Sequence, residues 1–230
     1  MLILKKIFKL FFSNRRIAKL VIKPLLKLDN FVYLLIGHFA PLASKTGHPK
    51  HEIIKYVDWF LDKIEKNMTV IDVGSNTGQM TKRISEKIKM TYGIEIDTKL
   101  HEIAIKKKSK NLEFINNDAT TFDYTKLQPV DCITLSNVLE HIDDRTSFLK
   151  SLNENVKWKI NPRYLIRVPM INRHWVVLLK KQMGVDYRLD KTHFIEYTKE
   201  IFYEEMKTAS LYVKSFEVKW GEIYAECIKK

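Results

Sequence analysis

Residues 69–78, TVIDVGSNTG, constrain this chain more than any other stretch. Val70, Ile71, Asp72 and Val73 make a short, largely apolar run of the kind that forms a buried parallel strand. The run breaks into Gly74-Ser75-Asn76-Thr77-Gly78, which is turn chemistry, and then into Gln79-Met80-Thr81-Lys82-Arg83-Ile84, which is helical. Strand, glycine turn and helix let backbone N–H groups and a helix N-terminus face a ligand at the carboxyl end of a sheet. A second strand, Tyr92-Gly93-Ile94-Glu95, follows and ends in an acid. Ribose offers two adjacent hydroxyl donors and a carboxylate two acceptor oxygens, so Glu95 suits the sugar of a nucleoside. A dinucleotide site would need G-x-G-x-x-G. Counted from Gly74, that pattern falls on Asn76 and Gln79, and the spacing argues against it.

Residues 72–78, with Glu95, resemble motif I and the ribose-binding acid of the class I S-adenosylmethionine-dependent methyltransferases, and the likeness continues over residues 50–230. One departure is Asn76, which stands where the family pattern has glycine; Asn is among the residues most tolerant of left-handed backbone, so the turn survives. The resemblance implies an α/β fold, a doubly wound seven-stranded Rossmann-like sheet, with S-adenosylmethionine as cofactor. It assigns Gly74, Ser75, Asn76, Thr77 and Gly78 to the methionine portion and Glu95 to the ribose, with Asp72 and Ile96 also counted as cofactor-binding.

The same order of strands continues. Leu112-Glu113-Phe114-Ile115 leads into Asn116-Asn117-Asp118-Ala119, where the resemblance places the adenine. A carboxylate there accepts from an exocyclic amine, and the Ala119 amide donates to a ring nitrogen; as an isolated feature, Asp118 reads equally as a turn aspartate. The run 130–136 is the fourth strand and delivers Asn137-Val138-Leu139-Glu140-His141. This group resembles the VLEH signature of methyltransferases acting on small molecules, with Asn137 near the cofactor. His141 has the intrinsic pKa to take a proton from a hydroxyl, and Glu140 to orient it or the substrate. The bland alternative is that both residues only hold the loop and cap the helix starting near Asp143-Asp144. Methyltransferases of nucleic-acid base amines carry Asn/Asp-Pro-Pro-aromatic at this place; here Ser136-Asn137-Val138-Leu139 stands instead, and the look-alike Asn161-Pro162-Arg163-Tyr164 precedes the next strand.

Residues 169–197 read as an insertion that builds the acceptor side, with His193 as a catalytic candidate and Tyr187 and Arg188 behind it. Thr198 caps the last helix, and 212–220 and 222–228 close the sheet as an antiparallel pair. The domain expected is therefore 48–230, preceded by an amphipathic helical segment, 1–47, with residues 48–51 as linker and a helix over 52–66.

Charge enters the argument at that segment. Lys5, Lys6, Lys9, Arg15, Arg16, Lys19, Lys23 and Lys27 lie in residues 1–28 without an acid, so this segment carries +8 of the chain's +13. Arg15, Lys19, Lys23 and Lys27 repeat every fourth residue as one stripe, while Leu4, Ile7, Phe8, Phe11, Ile17, Leu20 and Val21 supply apolar faces. Such helices lie on anionic bilayers; packing on a partner and nucleic-acid binding are the alternatives, the latter unlikely given the missing base-methylation motif. Pro24 is expected to kink or end the helix, and 31–43 is too short to span. Two cysteines, Cys132 and Cys227, sit in strands and read as buried free thiols of a cytoplasmic protein, membrane-associated through residues 1–28. No cysteine–histidine spacing suggests zinc, and no metal ligand is assigned. The expected activity is transfer of a methyl group to a hydroxyl of a small or lipid-linked, glycan-type acceptor; the rivals are a nucleic-acid methyltransferase and a noncatalytic cofactor-binding protein.

Overall fold

In the computed structural model, residues 13–45 and 48–229 are described. They cluster as two units, the described part of 1–53 together with 174–187, and 54–173 together with 188–229. Part of the 169–197 insertion thus clusters with the amino-terminal helix.

The first unit holds α1 (Arg15–Ala43), α2 (Pro49–Ile54) and, from the insertion, α7 (Trp175–Gln182). Asn14 caps α1 by accepting from the Arg16 amide at 2.8 Å. The helix does not end at Pro24: α1 runs through it for 29 residues. The Pro24 ring is exposed, so water can satisfy the carbonyl it leaves unpaired. The Lys180 ammonium meets Asp29 at 2.6 Å, and the Asn30 amide donates to the Asp186 carbonyl at 2.7 Å, tying α1 to the 174–187 segment. Leu4, Ile7, Phe8, Phe11, Lys5, Lys6 and Lys9 lie outside the described residues. The expected linker at 48–51 is partly helical, with Pro49 at the first helical position, where its missing N–H costs nothing. Likewise the single helix expected over 52–66 is two, α2 and α3 (Tyr56–Asp62), broken at Lys55, whose φ is +50°.

The second unit carries β1 (Thr69–Val73), α4 (Gln79–Ser85), β2 (Met90–Glu95), α5 (Thr98–Ala104), β3 (Leu112–Asn116), β4 (Val130–Ser136), α6 (Arg145–Asn155), β5 (Trp158–Pro169), α8 (Lys199–Thr208), β6 (Leu211–Lys219) and β7 (Glu222–Lys229). Among the described residues the seven strands form one sheet in the order β3-β2-β1-β4-β5-β7-β6. The pairs β1–β2, β2–β3, β1–β4 and β4–β5 are parallel, and β7 is antiparallel to both β5 and β6. The expected doubly wound sheet with its closing antiparallel pair is present. The look-alike Asn161-Pro162-Arg163-Tyr164 lies within β5 rather than before it.

Period-2 alternation explains why the central strands are apolar throughout. Val70, Cys132, Leu165 and Tyr224 point to one face, against Phe60 and Ile84 of the flanking helices and Ile64 just past α3. Ile71, Ile133, Tyr164 and Ile166 point to the other, against Leu149, Leu152 and Phe202. Both faces are covered, as a parallel sheet requires. Cys132 and Cys227 are free and buried, and burial pushes both thiols up, Cys227 to about 12. Connections reverse between β2 and β4 on either side of β1, which opens a crevice at the carboxyl ends of β1 and β4.

Candidate active site

A cleft of about 540 Å³ occupies that crevice. Of the residues expected to hold the cofactor, Gly74, Asn76, Glu95, Ile96, Asp118, Ala119 and Asn137 line it, and so does His141. Asp72, Ser75, Thr77 and Gly78 are not among the lining residues, and neither are Glu140 and His193, which sit behind His141.

The turn after β1 has left-handed backbone at Gly74 (φ +69°), Asn76 (+50°) and Gly78 (+75°), so Asn76 takes the conformation that its residue type tolerates. The loop amides, however, turn inward instead of toward the cleft. Gly74 and Ser75 both donate to the Ile94 carbonyl (2.9 and 3.0 Å), Gly78 donates to the Ser75 carbonyl (2.8 Å), and Thr77 donates to Asn76 Oδ1 (2.7 Å). Asn76 N donates to Glu95 Oε2 at 2.7 Å, and Asp97 N to Glu95 Oε1 at 2.9 Å. One amide on each oxygen fixes the carboxylate and leaves two acceptor sites, the number two ribose hydroxyls need. Asp72 lies beneath, nearly inaccessible, accepting from the hydroxyls of Thr81 (2.6 Å) and Thr134 (2.7 Å). Its role is to join β1, β4 and α4, and burial raises its pKa to about 6. Lys107 reaches back to the Thr77 carbonyl at 2.8 Å.

Asp118 spends Oδ1 on the amide and hydroxyl of Thr120 (2.8 and 2.7 Å), which leaves Oδ2 to a ligand. Asn137, at φ +56°, presents a buried Oδ1 with no partner among the described residues, an acceptor suited to the ammonium of a methionine moiety.

At the other end of the cleft, Leu139–His141 is a 3-10 turn whose Glu140 carbonyl accepts from the Phe194 amide at 2.8 Å. That bond brings the insertion onto the turn, and the rings of His141 and His193 meet edge to face at 4.5 Å. Thr192 Oγ1 donates to Asp190 Oδ1 (2.8 Å) and therefore accepts from His141 Nδ1 (2.8 Å). Asp190 is a firm acceptor, its carboxyl held below the usual range first by the Thr192 amide. His193 Nδ1 donates to Glu196 Oε1 at 3.0 Å. In its neutral form each histidine is therefore the Nδ1–H tautomer, with the lone pair on Nε2. Burial, then the neighbouring His193, holds the His141 imidazole below its usual value. Burial pushes the Glu140 carboxyl up to about 8, and neither of its oxygens has a partner among the described residues. Asp190, Thr192 and Glu196 were missed as a group by sequence reasoning; the polar run 186–193 was the only signal. Arg188 donates to the His193 carbonyl at 3.2 Å and does not line the cleft, while Tyr187 belongs to the first unit, below the Lys181 ammonium.

The pattern of the methyltransferase domain family matches residues 46–214. The chain belongs to this family. S-adenosylmethionine is the family's cofactor, and the donor set fits it: paired acceptor sites on Glu95, an acceptor on Asp118 and the orphaned Asn137 oxygen. An uncharacterized methyltransferase of Oceanobacillus iheyensis is 30% identical to this methyltransferase domain over 112 residues, 46% of this chain and 52% of the relative. Carboxy-S-adenosyl-L-methionine synthase of Staphylococcus epidermidis is 26% identical over 110 residues, 46% of this chain and 47% of the relative. The chain spans about half the length of the curated relatives it matches. Magnesium protoporphyrin IX methyltransferase from Synechocystis, solved with S-adenosylhomocysteine, superposes with a TM-score of 0.59 at 14% identity, over 79% of this chain and 83% of that one, which is likeness of fold.

Proposed function

We propose that this methyltransferase-family chain transfers the methyl group of S-adenosylmethionine to a hydroxyl of a small or lipid-linked, glycan-type acceptor. The acceptor oxygen attacks the methyl carbon, the carbon–sulfur bond breaks, and its electron pair returns to sulfur to give neutral S-adenosylhomocysteine. The protein's share is placement and desolvation, because the sulfonium is already electrophilic. Glu95 orients the ribose, Asp118 and Ala119 the adenine, Asn137 and the 74–78 loop the methionine end. His141 takes the acceptor proton on Nε2, with Thr192 holding its tautomer, and Glu140 and His193 support it.

The observation that carries this reading is the lone pair on Nε2 of a histidine at the cleft wall, fixed by the Thr192–Asp190 relay. A primary test is formation of S-adenosylhomocysteine from S-adenosylmethionine across a panel of hydroxylated acceptors, beginning with lipid-linked glycans. Product with no acceptor hydroxyl class, from protein that binds the cofactor, sinks the oxygen-transfer reading.

The amino-terminal helix supports an acceptor at an anionic membrane surface. No helix among the described residues is long and apolar enough to cross a membrane. On α1, Arg15, Lys19 and Lys23 are exposed, and so are Phe31, Leu34, Ile36 and Phe39 further along. A basic start followed by exposed apolar side chains suits a helix lying in the headgroup region.

A further inference from the structure

Glu140 poses a problem that methyl transfer through His141 does not solve. It is fully buried, and neither carboxylate oxygen has a hydrogen-bond partner among the described residues. A buried carboxyl without a partner is costly, and native proteins rarely keep one without a reason. Two histidines lie close by, and the Arg167 guanidinium acts on Glu140 only through its charge, without a hydrogen bond. One ligating atom from each of Glu140, His141 and His193 lies within 4.8 Å of the other two. Each imidazole has its Nδ1 engaged by an oxygen, Thr192 Oγ1 for His141 and Glu196 Oε1 for His193, so Nε2 is the free donor in both.

We propose that Glu140, His141 and His193 form a binding site for one divalent transition-metal ion of the zinc type, at the acceptor end of the cleft.

Three observations converge on an ion and not on a packed polar cluster. Two neutral imidazoles and one carboxylate are a donor set that zinc takes in open sites, where a further position stays free for water or substrate. Ligands about 2.0–2.2 Å from a tetrahedral ion stand about 3.3–3.6 Å apart, so the trio closes on an ion by side-chain rotation of about an ångström or less. Both histidines also carry the outer partner that metal-bound histidines use to fix tautomer and raise basicity. The Glu196 carboxylate that holds His193 is itself anchored, accepting from the Leu189 amide at 2.7 Å and from the Arg173 guanidinium. A cluster built only to fill space needs neither the free carboxylate nor two imidazoles held through Nδ1.

The binding itself does not depend on the methyltransferase reading; its consequence does. In the metal-loaded protein His141 Nε2 would be a ligand, so the base role proposed above belongs to the metal-free protein. An ion held there would supply Lewis-acid chemistry: it would lower the pKa of an acceptor hydroxyl, water would take the proton, and the oxygen would attack the methyl carbon as the carbon–sulfur bond breaks and its electron pair returns to sulfur.

The test uses the untagged full chain, stripped with a chelator and titrated with Zn²⁺ by calorimetry and with Co²⁺ by visible absorption. S-adenosylhomocysteine binding is measured on the same samples. Wild type is expected to take up one equivalent of Zn²⁺ and to develop Co²⁺ ligand-field absorption. Glu140→Gln and His141→Ala are expected to lose both signals while still binding S-adenosylhomocysteine, which shows them folded. Thr192→Val keeps all three ligands but removes the outer partner, and is expected to weaken Zn²⁺ binding about 10–100-fold. Absence of Zn²⁺ uptake by wild type that binds S-adenosylhomocysteine overturns the proposal, as does equal uptake by Glu140→Gln. Metal uptake without cofactor binding leaves the site standing and overturns the proposed reaction instead.

Discussion

The backbone amide of Asn76 donates to Glu95 Oε2 at 2.7 Å, so the residue that departs from the family's glycine is the one that holds in place the acid proposed to bind the ribose. Its φ of +50° aims that amide, which makes the left-handed turn and the sugar site one construction. Glu95→Ala removes both the acceptor for the loop and the partner of the ribose. Hydrogen bonds to a charged group contribute about 1.5–3 kcal/mol. The expected result is a loss of S-adenosylhomocysteine affinity of at least about 10-fold by calorimetric titration, smaller for Glu95→Gln. Unchanged affinity in Glu95→Ala would remove the residue from the cofactor site.

Asp72 gives the domain a pH dependence of known sign. Its folded pKa is raised from 3.8 to about 6 by burial, so between those values the folded protein holds a proton that the unfolded chain has released. Stability therefore falls as pH rises through that window, and the full cost, about 3 kcal/mol from a two-unit shift, applies above it. Asp72→Asn is neutral throughout. Denaturant midpoints of wild type and Asp72→Asn should converge toward pH 4 and diverge toward pH 7, to the disadvantage of wild type; parallel curves would show that Asp72 is not protonated in the fold.

His141→Ala should lower kcat by about 100-fold or more, the range of general acid–base catalysis, with little change in S-adenosylhomocysteine affinity. Retention of full activity removes His141 from the chemistry.

Gly78 opens α4 at φ +75°, and a Cβ there would lie 2.6 Å from the Phe114 ring. Gly78→Ala carries both conformational strain and a clash, expected together to cost about 1–3 kcal/mol in thermal or denaturant unfolding. Adding Phe114→Leu should recover the steric share only. Full recovery would mean that the backbone conformation carries no strain.

Lys19 and Lys23 lie on the exposed basic stripe of α1. Each basic residue near an anionic surface contributes about 1 kcal/mol, so Lys19→Gln with Lys23→Gln should weaken cosedimentation with phosphatidylserine vesicles about 30-fold. Equal binding to neutral phosphatidylcholine vesicles by wild type would dismiss the electrostatic reading.

Much of this protein was legible because its information is local. Alternating and continuous apolar runs named the strands, and the expected cap is in place: Thr198 Oγ1 accepts from the Ile201 amide. The cleft residues Gly74, Asn76, Glu95, Asp118, Asn137 and His141 were legible for the same reason, since each follows the carboxyl end of a strand whose order a parallel sheet dictates. Less was visible where a local rule met its surroundings. Pro24 stays within α1, and Lys55 breaks a helix that periodicity joined.

By itself, then, the sequence determined the alternation of strands and helices, the glycine turn, and which residue types stand at the strand ends. Those follow from side-chain period and backbone preference over a few residues. Only the tertiary structure decided that the loop amides turn inward, that Asp72 spans to Thr134, and that Thr192 and Glu196 set the tautomers of His141 and His193. Most of those partners sit on different elements, some 50 or more positions away. Which hydroxyl meets which imidazole depends on how the insertion closes over the strand ends, a geometry that no local pattern encodes.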